Sequence, residues 1–160
     1  SSPYTHSSNN PGGFLESAID IASFFLPQGE VILREQRGLN EEDEGVYRSF
    51  GSELLNGVDF ETIVLINDGS ASASEILAGA LRDNDKARIA GETSFGKGSV
   101  QEFIQLPEKT SIKITVAKWL TPNGQQISNS GIEPDIYIPF NPESDIDTQL
   151  FDATKAFDLE

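Results

Sequence analysis

Thr62-Ile63-Val64-Leu65-Ile66-Asn67-Asp68-Gly69-Ser70-Ala71-Ser72-Ala73-Ser74-Glu75-Ile76-Leu77-Ala78-Gly79-Ala80-Leu81 is the stretch from which the fold is read. Its apolar start, taken with the residues before it, predicts a buried strand over Phe60 to Ile66. A turn of small and polar residues follows, and Glu75 to Leu81 then predicts a helix. A buried strand that ends in such a turn and opens a helix is a place where a fold can expose a nucleophilic hydroxyl. The free amides of the helix start can face a developing oxyanion there. Ser72 is therefore a candidate nucleophile. A serine hydroxyl needs a base near neutral pH, yet the only histidine is His6, in a polar leader. Lys97, in Phe95-Gly96-Lys97-Gly98, is the natural alternative. Taken singly, Ser72 reads as readily as a helix cap, and Lys97 as a solvated turn residue; the joint pattern is what points to chemistry.

A lysine can serve as a base only when neutral, and burial favours that form because desolvation penalises the ammonium. The flanking glycines and the apolar Val100, Phe103, Ile104 and Leu106 beyond them predict a setting that removes water. Gln101 lies four positions on, a spacing that returns a side chain to the same face if both residues are extended.

Outward from this core, Phe14, Leu15, Ala18, Ile19, Ala22, Phe25 and Leu26 recur at helical spacing after Gly12-Gly13, and Pro27 ends them. They predict an amphipathic helix facing the core, with Gly13 at its start. Val31 to Leu33 and Ala87 to Ala90 predict strands, and Ser99 to Leu106 another that stops at Pro107. Ser111 to Trp119 alternates with period two, predicting a strand with one buried and one solvated face. Thr121-Pro122-Asn123-Gly124 is a turn, Ile136 to Ile138 a short last strand, and Asp147 can cap a helix carrying Leu150, Phe151, Thr154 and Phe157 along one side. Strands and helices in this alternation imply an α/β layer fold with a mostly parallel sheet.

One hundred and sixty residues suit a single domain, large enough to bury about 70% of its unfolded surface. The formal charge of −15, with 26 acidic against 11 basic residues, argues against nucleic-acid and anionic membrane surfaces, which call for a basic patch. No apolar run is long enough to span a bilayer. Asn40-Glu41-Glu42-Asp43-Glu44-Gly45 reads as a solvated acidic loop that lacks the alternating ligand pattern of a calcium loop, and no metal or cofactor is implied. There is no cysteine, which fits an extracytoplasmic protein and many cytosolic ones alike. There is also no methionine, so the chain is expected to begin inside a longer protein. Residues 1–9 are set aside as a polar leader outside the fold, 10–142 as the core, and 143–160 as an acidic segment with a short helix.

A competing motif crosses the same lysine. Gly91-Glu92-Thr93-Ser94-Phe95-Gly96-Lys97 matches the start of a phosphate-binding loop. Such a loop needs Ser or Thr next and a helix beyond it. Here Gly98 and a β-rich run follow, which disfavours nucleotide binding.

Asn10-Pro11-Gly12-Gly13, Ser70-Ala71-Ser72-Ala73-Ser74-Glu75-Ile76, Phe95-Gly96-Lys97-Gly98-Ser99-Val100-Gln101, Thr121-Pro122-Asn123-Gly124 and Gly131-Ile132-Glu133-Pro134-Asp135 occur in this order. From about Asn10 to Pro139 the chain resembles the carboxyl-terminal processing peptidases, or tail-specific proteases, which are serine endopeptidases with a Ser-Lys dyad. The resemblance implies a crotonase-like layered core with a mostly parallel sheet, and a chain that is a fragment of a larger protease. It implies Ser72 as nucleophile, Lys97 as base 25 residues later, and Gln101 as the residue that orients the amine. Oxyanion donors would be the amides of Ala73 and Gly13, and Asp83 a functionally sensitive position or a structural one at the helix end. In the family an apolar strand leads into the glycine loop, whereas Ser1-Ser2-Pro3-Tyr4-Thr5-His6-Ser7-Ser8 is polar, so the loop is expected to lack an anchor. The resemblance further implies polypeptide substrates with apolar C-termini, an extracytoplasmic location, and a PDZ region in the full protein that this chain does not show. The alternative is a catalytically silent interaction module on the same scaffold.

Overall fold

The computed structural model describes residues 4–38, 44–52, 54–55, 61–107, 110–141, 143–144 and 147–157. Ile63–Ile66 (β4) is its centre. Tyr4–His6 (β1) lies on one side of it, and Arg88–Gly91 (β5) and Ile136–Tyr137 (β8) on the other, giving a parallel sheet in the order β1-β4-β5-β8. Parallel neighbours need crossovers, and Ala73–Asp83 (α2) carries the chain from β4 to β5. Successive strand side chains point to opposite faces. Val64 and Ile66 join a cluster with Leu77, Ala78 and Leu81 of α2 and with Ala18 and Ala22 of Leu15–Phe25 (α1). Ile63 and Leu65 join Ala90, Ile138 and Ala153, the last on Thr148–Phe157 (α3), across the sheet. With both faces covered, every residue of β4 is buried, which is why the strand reads as an unbroken apolar run.

The expected α/β architecture with a parallel sheet is present, but the strands divide between two sheets. Glu44–Arg48 (β3), Val31–Gln36 (β2), Ser111–Leu120 (β7) and Ser99–Gln105 (β6) form a second, wholly antiparallel sheet in the order β3-β2-β7-β6. Its β6–β7 pair is a hairpin closed by the Leu106 N–H to Thr110 carbonyl bond at 2.9 Å. Residues 40–43 of the acidic run and Phe60 lie outside the described residues; Glu44 and Gly45, read as loop, are in β3.

Three expectations are corrected. The leader is part of the fold: Tyr4, Thr5 and His6 pair with Ile63, Val64 and Leu65. Sheet pairing uses backbone groups, so a strand need not be apolar to form there. β7 has no buried face along its outer half, because it meets β2 only at Lys118, Trp119 and Leu120, leaving Ser111 to Thr115 exposed with β6 beside them. Phe14 precedes α1 in extended backbone and points away from the core, 78% exposed.

The polar leader is fixed by hydrogen bonds. Buried Ser70 donates its hydroxyl to the Ser7 carbonyl at 2.6 Å and accepts the Asn67 N–H at 3.0 Å. Asn67 in turn accepts the Asn9 N–H at 2.7 Å. At the other end, His6 Nε2 lies 3.0 Å from Asp147 Oδ2, while Asp147 Oδ1 caps α3 through the Leu150 N–H at 2.9 Å, as its position in the sequence predicts. Replacing Ser70 by Ala leaves the buried Asn67 N–H without the hydroxyl it donates to and removes one of the two bonds to the Ser7 carbonyl, which keeps the Asn10 N–H at 3.2 Å; it should lower stability by about 1–3 kcal/mol, read as a lower urea midpoint with unchanged m-value, and an unaltered midpoint would show that β1 is not held through this hydroxyl.

Candidate active site

Ser72 stands where the chain turns from β4 into α2, at φ +59° and ψ −119°. A side-chain-bearing residue in this region is strained, and such strain persists only where the surroundings over-determine it. Glu75 is what holds it. At the third helical position it accepts the Ser72 N–H at 2.7 Å, one half of the Ser-x-x-Glu capping pattern. The same carboxylate accepts the Ser94 hydroxyl at 2.6 Å, the Gly96 N–H at 2.6 Å and the Lys97 N–H at 2.9 Å. It is completely buried. Ser72 and Lys97, far apart in sequence, therefore share one carboxylate oxygen through their backbone amides.

The lysine loop is clamped from its other side as well. Phe95 N–H donates to the Ser70 carbonyl at 2.9 Å, and Ser94 exchanges bonds with Ile132, its hydroxyl accepting the Ile132 N–H at 2.7 Å. Gly96 has φ +86° and lies against Asn129 and Gly131, while a Cβ at Gly98 would come within 2.6 Å of Ser128 N and Ile127 Cβ. The glycines that flank Lys97 are thus required by backbone approach to residues 127–131. Asp135, in the quoted Gly131 to Asp135 stretch, accepts the Ile89 N–H at 2.7 Å and fastens the same region to β5.

Lys97 itself is exposed, as are Phe103, Ile104 and Leu106; the water-free setting expected around the amine is absent because β6 leaves the core as the edge of a projecting hairpin. No hydrogen bond joins Ser72 Oγ to Lys97 Nζ among the described residues. Lys97 precedes β6, and a register shift falls between Val100 and Gln101, so the same-face spacing argument for Gln101 does not apply; Gln101 is exposed opposite Thr115. Asp83 sits at the far end of α2, where it accepts the Asn123 N–H at 2.9 Å and pairs with Arg82 at 3.2 Å. These contacts tie the helix end to the Thr121–Gly124 turn.

On the opposite side of Ser72 lies the glycine loop. Gly12, at φ +89°, packs so closely that a Cβ there would meet the Ala71 carbonyl at 2.5 Å and Ala73 N at 2.7 Å. Asn10 holds the loop, its carbonyl accepting the Ala71 N–H at 3.0 Å and its side chain the Gly12 N–H at 3.0 Å. Gly13 follows in open space. The amides of Gly12, Ser72, Ser74, Glu75, Gly96 and Lys97 are all engaged. Those of Ala73 and Gly13 have no acceptor among the described residues. The loop bearing Lys97 has no amide at Gly96 or Lys97 left for a phosphate, and it opens the strand β6 where a phosphate loop needs a helix. Glu75, Gly12 and Ser94 were not singled out from the sequence; only Glu75 left a signal there, as the acid three residues after Ser72.

The sequence profile described as peptidase family S41 matches residues 7–138. The chain belongs to this family. It is 38% identical over 130 residues to probable CtpA-like serine proteases of Staphylococcus epidermidis and Staphylococcus aureus, a match that covers 81% of this chain and 26% of each relative. The chain thus spans about a quarter of the length of the curated relatives it matches. A photosystem II D1 C-terminal processing protease superposes with a TM-score of 0.74 and 31% identity, over 85% of this chain and 34% of that one. Mature CPAF shares the fold at a TM-score of 0.66 and 18% identity, over 97% of this chain and 42% of that one. Among the described residues no helix is long and apolar enough to cross a membrane, and no cluster of metal-ligating side chains is present.

Glu75→Gln replaces one accepting oxygen by an amide donor, facing either the Ser72 and Lys97 N–H groups or the Ser94 hydroxyl and the Gly96 N–H. It should cost about 3 kcal/mol, measured by denaturant titration, and should accelerate amide hydrogen exchange at both Ser72 and Lys97. Faster exchange at only one of them would show that the carboxylate does not couple the two segments.

Proposed function

We propose that the chain is the core of a serine endopeptidase that works through a Ser72–Lys97 dyad on a crotonase-like layered scaffold. The observation that carries this reading is the strained Ser72 turn flanked by two unpaired amides and tied through Glu75 to the Lys97 loop. In this mechanism neutral Lys97 takes the proton from Ser72 Oγ as the oxygen bonds to the substrate carbonyl carbon. The carbonyl oxygen, becoming negative, is received by the N–H groups of Ala73 and Gly13. The lysine then passes the proton to the leaving amine, which departs; Lys97, neutral again, takes a proton from the water that attacks the acyl carbon and returns it to Ser72 Oγ as the acyl group leaves. Gln101 would orient the amine once substrate orders the exposed start of β6. Asp83 is proposed to act on structure, through its bond to the 121–124 turn.

Similarity to a D1 C-terminal processing protease supports cleavage at or near C-terminal tails; a preference for apolar tails is part of the same proposal. An extracytoplasmic site of action and a PDZ region elsewhere in the full-length protein belong to the same proposal. Exposure of Lys97 fits a site that is completed, and dried, when a peptide lies across it. Labelling of Ser72 by a fluorophosphonate separates this enzyme from a silent interaction module.

Ser72→Ala and Lys97→Ala in the full-length protein should each remove nearly all peptidase activity, the double variant should match either single one, and His6→Ala should leave the rate unchanged. Lys97→Arg should also be inactive, because a guanidinium stays charged. Retention of more than about a tenth of the rate by Lys97→Ala, a loss of only about 1.4 kcal/mol in barrier height, would sink the dyad.

A further inference from the structure

A chain of hydrogen bonds reaches the Lys97 loop from the side opposite Glu75. Lys118 Nζ donates to Gln126 Oε1 at 3.2 Å, and Gln126 Nε2 donates to the Ser128 carbonyl at 3.1 Å. That carbonyl belongs to the peptide group whose N–H is that of Asn129, and this N–H donates to the Gly96 carbonyl at 3.0 Å. The Gly96 carbonyl belongs in turn to the peptide group whose N–H is that of Lys97, which donates to Glu75 at 2.9 Å. Three amide groups thus stand head to tail between an ammonium and a carboxylate, each accepting on its oxygen and donating through its nitrogen. The carbonyl ends face the cation and the N–H ends face the anion, the order in which aligned amide dipoles favour both charges. Bonds in such a chain polarise one another.

We propose that Gln126 and Lys118 are positioning residues for the reaction, bracing the backbone of Lys97 on one side while Glu75 holds it on the other. The inference rests on Lys97 as the base and adds what aims it. A peptide group is planar, so bonds to its oxygen and to its N–H together fix its orientation. The Gly96–Lys97 group is bonded at both ends, and its plane constrains the direction in which the Lys97 side chain leaves the backbone. The Ser128–Asn129 group behind it is held in the same way, and among the described residues its carbonyl has no donor besides Gln126. Asn129 has φ +65°, a sparsely populated conformation that persists where surrounding bonds over-determine it. Lys118 also stands opposite Ser99 in the β6–β7 ladder, which brings the root of the hairpin into the brace. Lys118 is exposed, and Gln126 is half-buried on the wall of an open cavity of about 540 Å³ beside Gln36 and Asn123. Both can therefore be replaced without disturbing the core.

The test is steady-state kinetics of the full-length protein on an unstructured peptide. Gln126→Met keeps the length of the side chain and removes both of its bonds. It should lower kcat about tenfold, part of the roughly hundredfold that a misplacement of about 1 Å can cost, and leave KM within about twofold. Amide hydrogen exchange at Asn129 should speed up in the same variant. Lys118→Met removes only the outer cation and should lower kcat about two- to threefold, a smaller loss because the inner bonds remain. Lys118→Glu combined with Gln126→Arg rebuilds the chain, the guanidinium donating to both the Ser128 carbonyl and the new carboxylate, and should recover most of the kcat that Gln126→Met loses. Folded Gln126→Met and Lys118→Met proteins with wild-type kcat, beside an inactive Lys97→Ala, would overturn the brace and leave the dyad standing; a lower Tm without a lower kcat would do the same, since it marks a role in stability alone. If Gln126→Met does not fold, wild-type kcat in Lys118→Met decides against the brace. An active Lys97→Ala would overturn the dyad and this inference together.

Discussion

The buried Glu75 carboxylate takes hydrogen bonds from Ser72, Ser94, Gly96 and Lys97, and the geometry around Ser72 depends on it. Three of the four donors are backbone groups that would otherwise be buried or turned toward solvent without partners, and charge-assisted bonds of this kind are the stronger ones. Because the carboxylate sits in the first turn of α2, it also lies where the helix dipole favours negative charge. The strained backbone of Ser72 and the glycine-rich approach to Lys97 are two ends of one hydrogen-bonded unit.

Around that unit the parallel sheet supplies rigidity. β4 is covered on both faces, so its end is fixed in space, and the turn that follows inherits that position. Asn67 and Ser70 in this turn reach back to Asn9 and Ser7, which places the glycine loop over the start of α2. The unpaired amides of Ala73 and Gly13 therefore come from two segments joined by sheet pairing and by side-chain bonds. That support stops at the hairpin: among the described residues no layer covers β6 and the outer half of β7, and the residues following Lys97 share that exposure.

Much of the scaffold was legible because it obeys local rules. An unbroken apolar run gave β4, helical spacing gave α1 and α2, and Asp147 marked the start of α3. β1 was missed because a strand made by backbone pairing leaves no apolar trace in Tyr4-Thr5-His6. The exposure of β7 was missed because Ile112 and Ile114 alternate with polar residues as a half-buried strand would, and periodicity does not say whether another layer exists to bury them. The apolar residues near Lys97 in sequence predict a dry amine, yet Val100 is only half-buried and Phe103, Ile104 and Leu106 are exposed.

By itself the sequence determined the residue types available for chemistry: a serine between strand and helix, a lysine between glycines, and no histidine placed to help them. It also determined the α/β alternation, since periodicity and turn residues act within a few positions of chain. The tertiary structure decided what touches what. That Glu75 joins the Ser72 turn to the Lys97 loop, that Gly12 rather than Gly13 packs against that turn, and that Asp83 belongs to the 121–124 corner follow from segments meeting in space. Hydrogen bonding and close packing depend on distances that the chain's order does not encode, so only the folded arrangement could assign them.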